Sequence, residues 1–167
     1  MRVLRQVTDA FTFELEWIER VELEEVLRHY PLTPPAHHRM ARDAETGPRS
    51  GDQALLEEAM LAQQQALRLK VQELLGPGRR FSGDGDKYLL TLQGAEIEWL
   101  LQALNDVRVG CWVHLGCPEE TAMPEDADGT AAGYHLLMET ALMFETYLLR
   151  ALHGSDGDEA LPEESVD

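Results

Sequence analysis

The sequence predicts a mainly α fold, a small helical bundle of about four helices with a minor two-stranded β element. Three observations carry this. Four long stretches repeat apolar residues at helical spacing, and two short stretches have strand length and strand composition. Glycine and proline fall between these stretches. With 44% apolar residues the chain can fill a core, so extended disorder is not expected.

The first strand is "FTFELEW", where Phe11, Phe13, Leu15 and Trp17 alternate with Thr12, Glu14 and Glu16. It runs straight into a helix in "EWIERVELEEVLRHY". There Ile18, Val21, Val26 and Tyr30 recur near helical spacing, with Leu23 and Leu27 beside them. Pro31, Pro34 and Pro35 stop that helix, because proline lacks the amide proton and clashes with the preceding turn. The span from Pro31 to Gly51 reads as a loop, or a loop with one short helical turn.

Asp52 can cap a second helix whose stripe is Leu56, Met60, Gln63, Leu67, Val71 and Leu74, and Gly76-Pro77-Gly78 ends it. "RRFSGDGD" is a turn-rich connection to the second strand, "KYLLTL", Lys87 to Leu92. A third helix follows from about Ala95 to Leu115. It is apolar nearly all round, the mark of a central, buried helix. The last helix takes Thr130 or Asp128 as cap and Leu137, Ala141, Phe144, Leu148 and Leu152 as core face, and Gly154 closes it. A strand leading directly into an acid-opened helix thus occurs twice, with too little shared identity to count as a repeat.

The organisation read from this is one domain over 1–153 and a disordered acidic tail over 154–167, which holds six carboxylate side chains and no base. The balance of 14 basic to 31 acidic residues gives a net charge of −17. That repels nucleic acid and anionic membrane. No apolar run reaches the roughly 18 residues of a membrane span. The opening "MRVLRQVTDAF" has no signal-peptide apolar core, and two cysteines make no disulfide framework. The expected compartment is the cytoplasm.

Three groups of residues could carry function. Asn105, Asp106 and Arg108 sit in the apolar third helix and need partners, since a buried unpaired polar group costs on the order of several kcal/mol. They are either an acid and an anion clamp or hydrogen-bonded ties between helix ends and the strand pair; the second reading is preferred. Cys111, His114 and Cys117 form C-x2-H-x2-C, which His135 and Glu139 of the last helix would have to complete as a metal site. The two cysteines could form a redox pair only if Gly116 breaks the helix. Otherwise Cys111 is a buried structural thiol and Cys117 the more exposed one. His37, His38, Arg39 and Arg42, with Arg49, form a basic patch for an anionic ligand or acidic segment, or simply balance neighbouring carboxylates. Phosphate-loop, zinc-protease, hydrolase-elbow and dinucleotide fingerprints are absent from the sequence.

"WLLQALNDVRVG" with a following Leu-Gly resembles the C-terminal half of a bacterial domain-of-unknown-function family whose recurring phrase is W-L-x-x-L-N-D-x-R…L-G. The matching positions are Trp99, Leu100, Leu104, Asn105, Asp106, Arg108, Leu115 and Gly116. The resemblance covers about half the chain. It implies a small, mostly helical cytoplasmic protein with a deliberate polar cluster, and no established reaction or cofactor. The resulting expectation is a non-enzymatic regulatory or adaptor protein that acts through protein–protein contacts, with no cofactor. The stripes of the second and last helices could also serve a homodimer. The alternative is a metal-binding or redox-responsive protein using Cys111, His114 and Cys117. A third reading, an enzyme centred on Asp106 and Arg108, is weaker.

Overall fold

The computed structural model describes residues 1–33, 50–76, 80–83, 85–119 and 128–154. The elements in order are β1 (Arg2–Val7), β2 (Ala10–Glu16), α1 (Trp17–Arg28), α2 (Ser50–Leu75), β3 (Phe81–Ser82), β4 (Lys87–Gln93), α3 (Gly94–His114) and α4 (Gly129–His153). The strands form one antiparallel four-stranded sheet in the order β1-β2-β4-β3. This corrects the two-stranded β element. β2 and β4 are the two expected strands and do pair, but each also carries a hairpin partner.

Both missed strands lack a burial signal. All six residues of β1 are exposed, so no alternation marks it. It exists because a two-residue turn at Thr8 and Asp9, with Thr8 left-handed at φ 55, folds it back onto β2. β3 has only two residues and is defined by its pairing of Phe81 with Leu90. Gly83, Gly85 and Asp86 lie between the paired β3 and β4. At Gly83 (φ 138) a Cβ would meet the Lys87 carbonyl oxygen at 2.3 Å, so only glycine is accommodated.

One face of the sheet is core. Phe11, Phe13 and Leu15 of β2 and Leu90 and Leu92 of β4 are buried against α1, α3 and α4. The other face carries Thr12 bonded to Thr91, and Glu14 paired with Arg2 and Lys87. Phe13 and Leu90, the middle residues of the two seven-residue central strands, are directly paired. A local two-fold relation between the strands therefore passes through the centre of the core. Each strand leads without a loop into a helix opened the same way: the Glu19 carboxylate accepts the Glu16 N–H, and the Glu96 carboxylate accepts the Gln93 N–H. The sequence phrase seen twice is a hairpin-plus-helix unit used twice.

The helices differ from expectation in which side they bury. α1 buries Leu23, Val26 and Leu27 and leaves Ile18 and Val21 outside. α2 begins at Ser50, which places Asp52 inside its first turn instead of at the cap. Among its described side chains, those of Leu67, Val71 and Leu74 enter the core, while Leu56 and Met60 are half-buried and Gln63 is exposed. α3 is central and buries Ile97, Trp99, Leu100, Ala103, Leu104, Val107 and Cys111. It closes on Gly116 (φ 81): the Gly116 N–H reaches the Val113 carbonyl and the Cys117 N–H the Trp112 carbonyl. α4 is capped by Asp128, which accepts the Ala131 N–H. It buries Ala141, Phe144 and Leu148 as expected, with Met138 and Ala151 in place of the half-buried Leu137 and Leu152.

Candidate functional site

Asp106 lies on α3 where the chain returns from α1. Its Oδ1 accepts the Leu32 N–H at 2.7 Å and the Thr33 N–H at 3.2 Å, and the Thr33 hydroxyl donates to the Asp106 carbonyl at 2.8 Å. One turn further on, Gly110 lets the backbone of this segment come close: a Cβ there would sit 2.7 Å from the carbonyl carbon, Cβ and Cγ of Leu32. The carboxylate and the missing side chain act together. One satisfies two main-chain amides that leave the end of α1 unpaired, and the other makes room for them. Tyr30 packs beside them, its hydroxyl pushed up to about 12 by burial and then by the Asp106 charge.

Arg108 reaches instead toward α4, with Asn105 behind it. The Arg108 Nη2 donates to the Asn105 Oδ1 at 2.7 Å. Its Nε lies 3.1 Å from Oε2 of Glu145 on α4, within ion-pair range but off hydrogen-bond alignment, so Nε and the Glu145 Oε1 have no hydrogen-bond partner among the described residues. Asp106 thus ties α3 to the segment after α1 and Arg108 ties it to α4, while the exposed Asn105 accepts from Arg108 of its own helix. They do not tie the strand pair. The sequence missed Glu145 and Thr33 as partners, because neither lies near the cluster in sequence. A buried glutamate on the core side of an apolar helix was the available signal.

Burial pushes the Glu145 carboxyl above the usual glutamate value of 4.5, and the Arg108 charge opposes this without cancelling it. A carboxyl raised in the fold contributes stability that is complete below its unfolded value and lost as pH rises through the folded one. Glu145→Gln is therefore expected to gain stability relative to the parent chain as pH rises from about 4 to 7. Urea midpoints at the two pH values measure this. A glutamine variant that falls behind as pH rises would mean that the Arg108 pair outweighs the burial.

The cysteine and histidine positions do not converge. Cys111 is buried, its thiol pushed up to about 11 by burial, whereas Cys117 is exposed beyond the helix end, and both are free. The exposed His114 ring stacks on Tyr134 at 4.8 Å between centroids. His135 is buried with its Nδ1 unpartnered among the described residues, and Glu139 is exposed. Among the described residues no group of three or more histidine, cysteine, aspartate or glutamate side chains stands close enough to hold a metal ion. The basic patch of His37, His38, Arg39, Arg42 and Arg49, and the tail beyond Gly154, lie outside the described residues.

A cleft of about 230 Å³ adjoins Asp106, between α2 and α3. Its walls are Tyr30, Thr33, Met60, Leu67 and Val109, with the amides of Gln63, Gln64, Gln102 and Asn105. No helix among the described residues is long and apolar enough to cross a membrane. No protein-family model, curated protein or solved structure matches the chain.

Proposed function

We propose that this protein is a regulatory or adaptor protein that contacts another protein and does no chemistry of its own. One observation carries the reading: Trp17, Ile18 and Val21 stand 53%, 48% and 38% exposed on the first turns of α1. Large apolar side chains grouped on a rigid helix are what protein partners bury, and tryptophan is the residue most often central to such contacts. Beyond them the same helix surface turns charged, with Glu25 and Arg28 exposed and paired. The rest of the polar inventory supports this, since Asp106 and Arg108 are engaged in holding elements together. The net charge of −17 favours a partner segment with basic residues flanking its apolar ones. The proposal sets the protein in the cytoplasm, where free thiols such as Cys111 and Cys117 stay reduced.

The test is a photo-crosslinking amino acid placed at Ile18 of the full chain in living cells of its source. The expected result is an adduct with a different protein that disappears when Trp17→Ala is added. Adducts with the chain's own copies alone, or adducts indifferent to Trp17→Ala, would refute the reading.

A further inference from the structure

α4 is apolar on much of its outer face as well as its inner one. Its inner side is buried against α3 and α1, yet Leu136, Leu142 and Leu149 on the outside are 67%, 51% and 43% exposed. Between them Leu142, Met143 and Tyr147 line one shallow groove with Thr146, and the charged groups of that groove are Glu139 and Arg150. A helix apolar on both sides belongs between neighbours on both, and among the described residues α3 and α1 cover only the inner one.

We propose that a second copy of this chain covers the outer face of α4, the two helices running antiparallel across a two-fold axis. The pattern of charges selects that occupant. A chain of net charge −17 repels its own copy over most of its surface, but this face holds one acid and one base of opposite sign. Glu139 and Arg150 are equally far along the helix from the point between Phe144 and Glu145, and so are Leu142 and Tyr147. An antiparallel pair centred there sets Glu139 against Arg150 of the second copy, twice, and Met143 against Thr146 between them, with Leu142 meeting its own copy along one flank and Tyr147 along the other. Such self-matching is what a two-fold interface requires. The face also continues past α4, because Tyr147 and Arg150 share a second cleft with Val3 of β1. That extension brings in the exposed edge strand and moves the contact toward the roughly 800 Å² per partner of a stable complex. The inference is independent of the α1 contact: crosslinks from Ile18 are expected in either oligomeric state, so each can fail alone.

Sedimentation equilibrium of the full chain is the test. The expected mass is twice the 18.8 kDa of one chain. Leu142→Asp is expected to give monomer with an unchanged far-ultraviolet circular dichroism spectrum. Arg150→Glu is expected to weaken the dimer about tenfold, because it puts two carboxylates at each end. Adding Glu139→Arg to Arg150→Glu restores the opposite charges and is expected to bring the affinity back to within about threefold. A parent chain that is monomeric at about 0.1 mM, where even a micromolar dimer would be nearly complete, overturns the proposal. So does a dimer unaffected by Leu142→Asp, or a double charge swap as weak as Arg150→Glu alone.

Discussion

Asp106→Ala is expected to lower the unfolding free energy by about 3 kcal/mol, since hydrogen bonds to a charged group are worth roughly 1.5–3 kcal/mol each. Two main-chain N–H groups, of Leu32 and Thr33, lose their acceptor together. Neither has a helical partner to return to, because α1 ended at Arg28. Asp106→Asn keeps an oxygen at the same place and is expected to retain a large part of the stability. It also removes the charge that helps hold the Tyr30 hydroxyl up near 12, so the phenol should titrate at lower pH in that variant. Denaturant unfolding and an ultraviolet pH titration read the two effects separately. An Asp106→Ala chain as stable as its parent would show that the carboxylate is not the tie the geometry makes it.

Gly110→Ala is expected to destabilise by about 2 kcal/mol, the middle of the overpacking range, and Gly110→Val by more. The direction is informative because helix propensity alone predicts a gain of about 1 kcal/mol on replacing a helical glycine by alanine. Gly133 in α4 supplies the control. It is exposed, and a Cβ there would meet nothing within 4 Å. Gly133→Ala is therefore expected to stabilise while Gly110→Ala destabilises, in the same protein and the same kind of element. At Gly110 two of the three obstructing atoms are the carbonyl carbon and Cβ of Leu32, which no change of rotamer can withdraw. Leu32→Ala removes only the third, so the double variant should recover only part of the loss. Equal effects of alanine at positions 110 and 133 would remove the close approach from the account.

These two positions show what was legible and what was not. The need for partners around Asn105, Asp106 and Arg108 follows from placing polar groups in an apolar helix, and so does the preference for a structural over a chemical role. Their partners lie 73 and 74 residues away for Asp106, and no local pattern encodes such a distance. Gly110 carried no sign of its role, because a glycine chosen for a close approach reads in the sequence as a weak point in a helix.

The sequence by itself determined where the helices and the two central strands begin and end, to within a few residues. Periodicity, caps and prolines are local, and they act before any packing. It also determined that α3 would be central, because most of its circumference is apolar; a stripe through Glu98, Gln102 and Asn105 stays exposed. The tertiary structure alone decided the sheet's two outer strands, since β1 is exposed throughout and β3 is too short to have a pattern; both are held by main-chain pairing that any side chain allows. It alone decided that Ile18 and Val21 face outward while Leu23 and Val26 face in. Helical spacing gives the stripes, but which stripe is buried depends on where the sheet lies. α4 shows the same dependence: its inner stripe found the core, and Leu136, Leu142 and Leu149 of its outer stripe stay exposed.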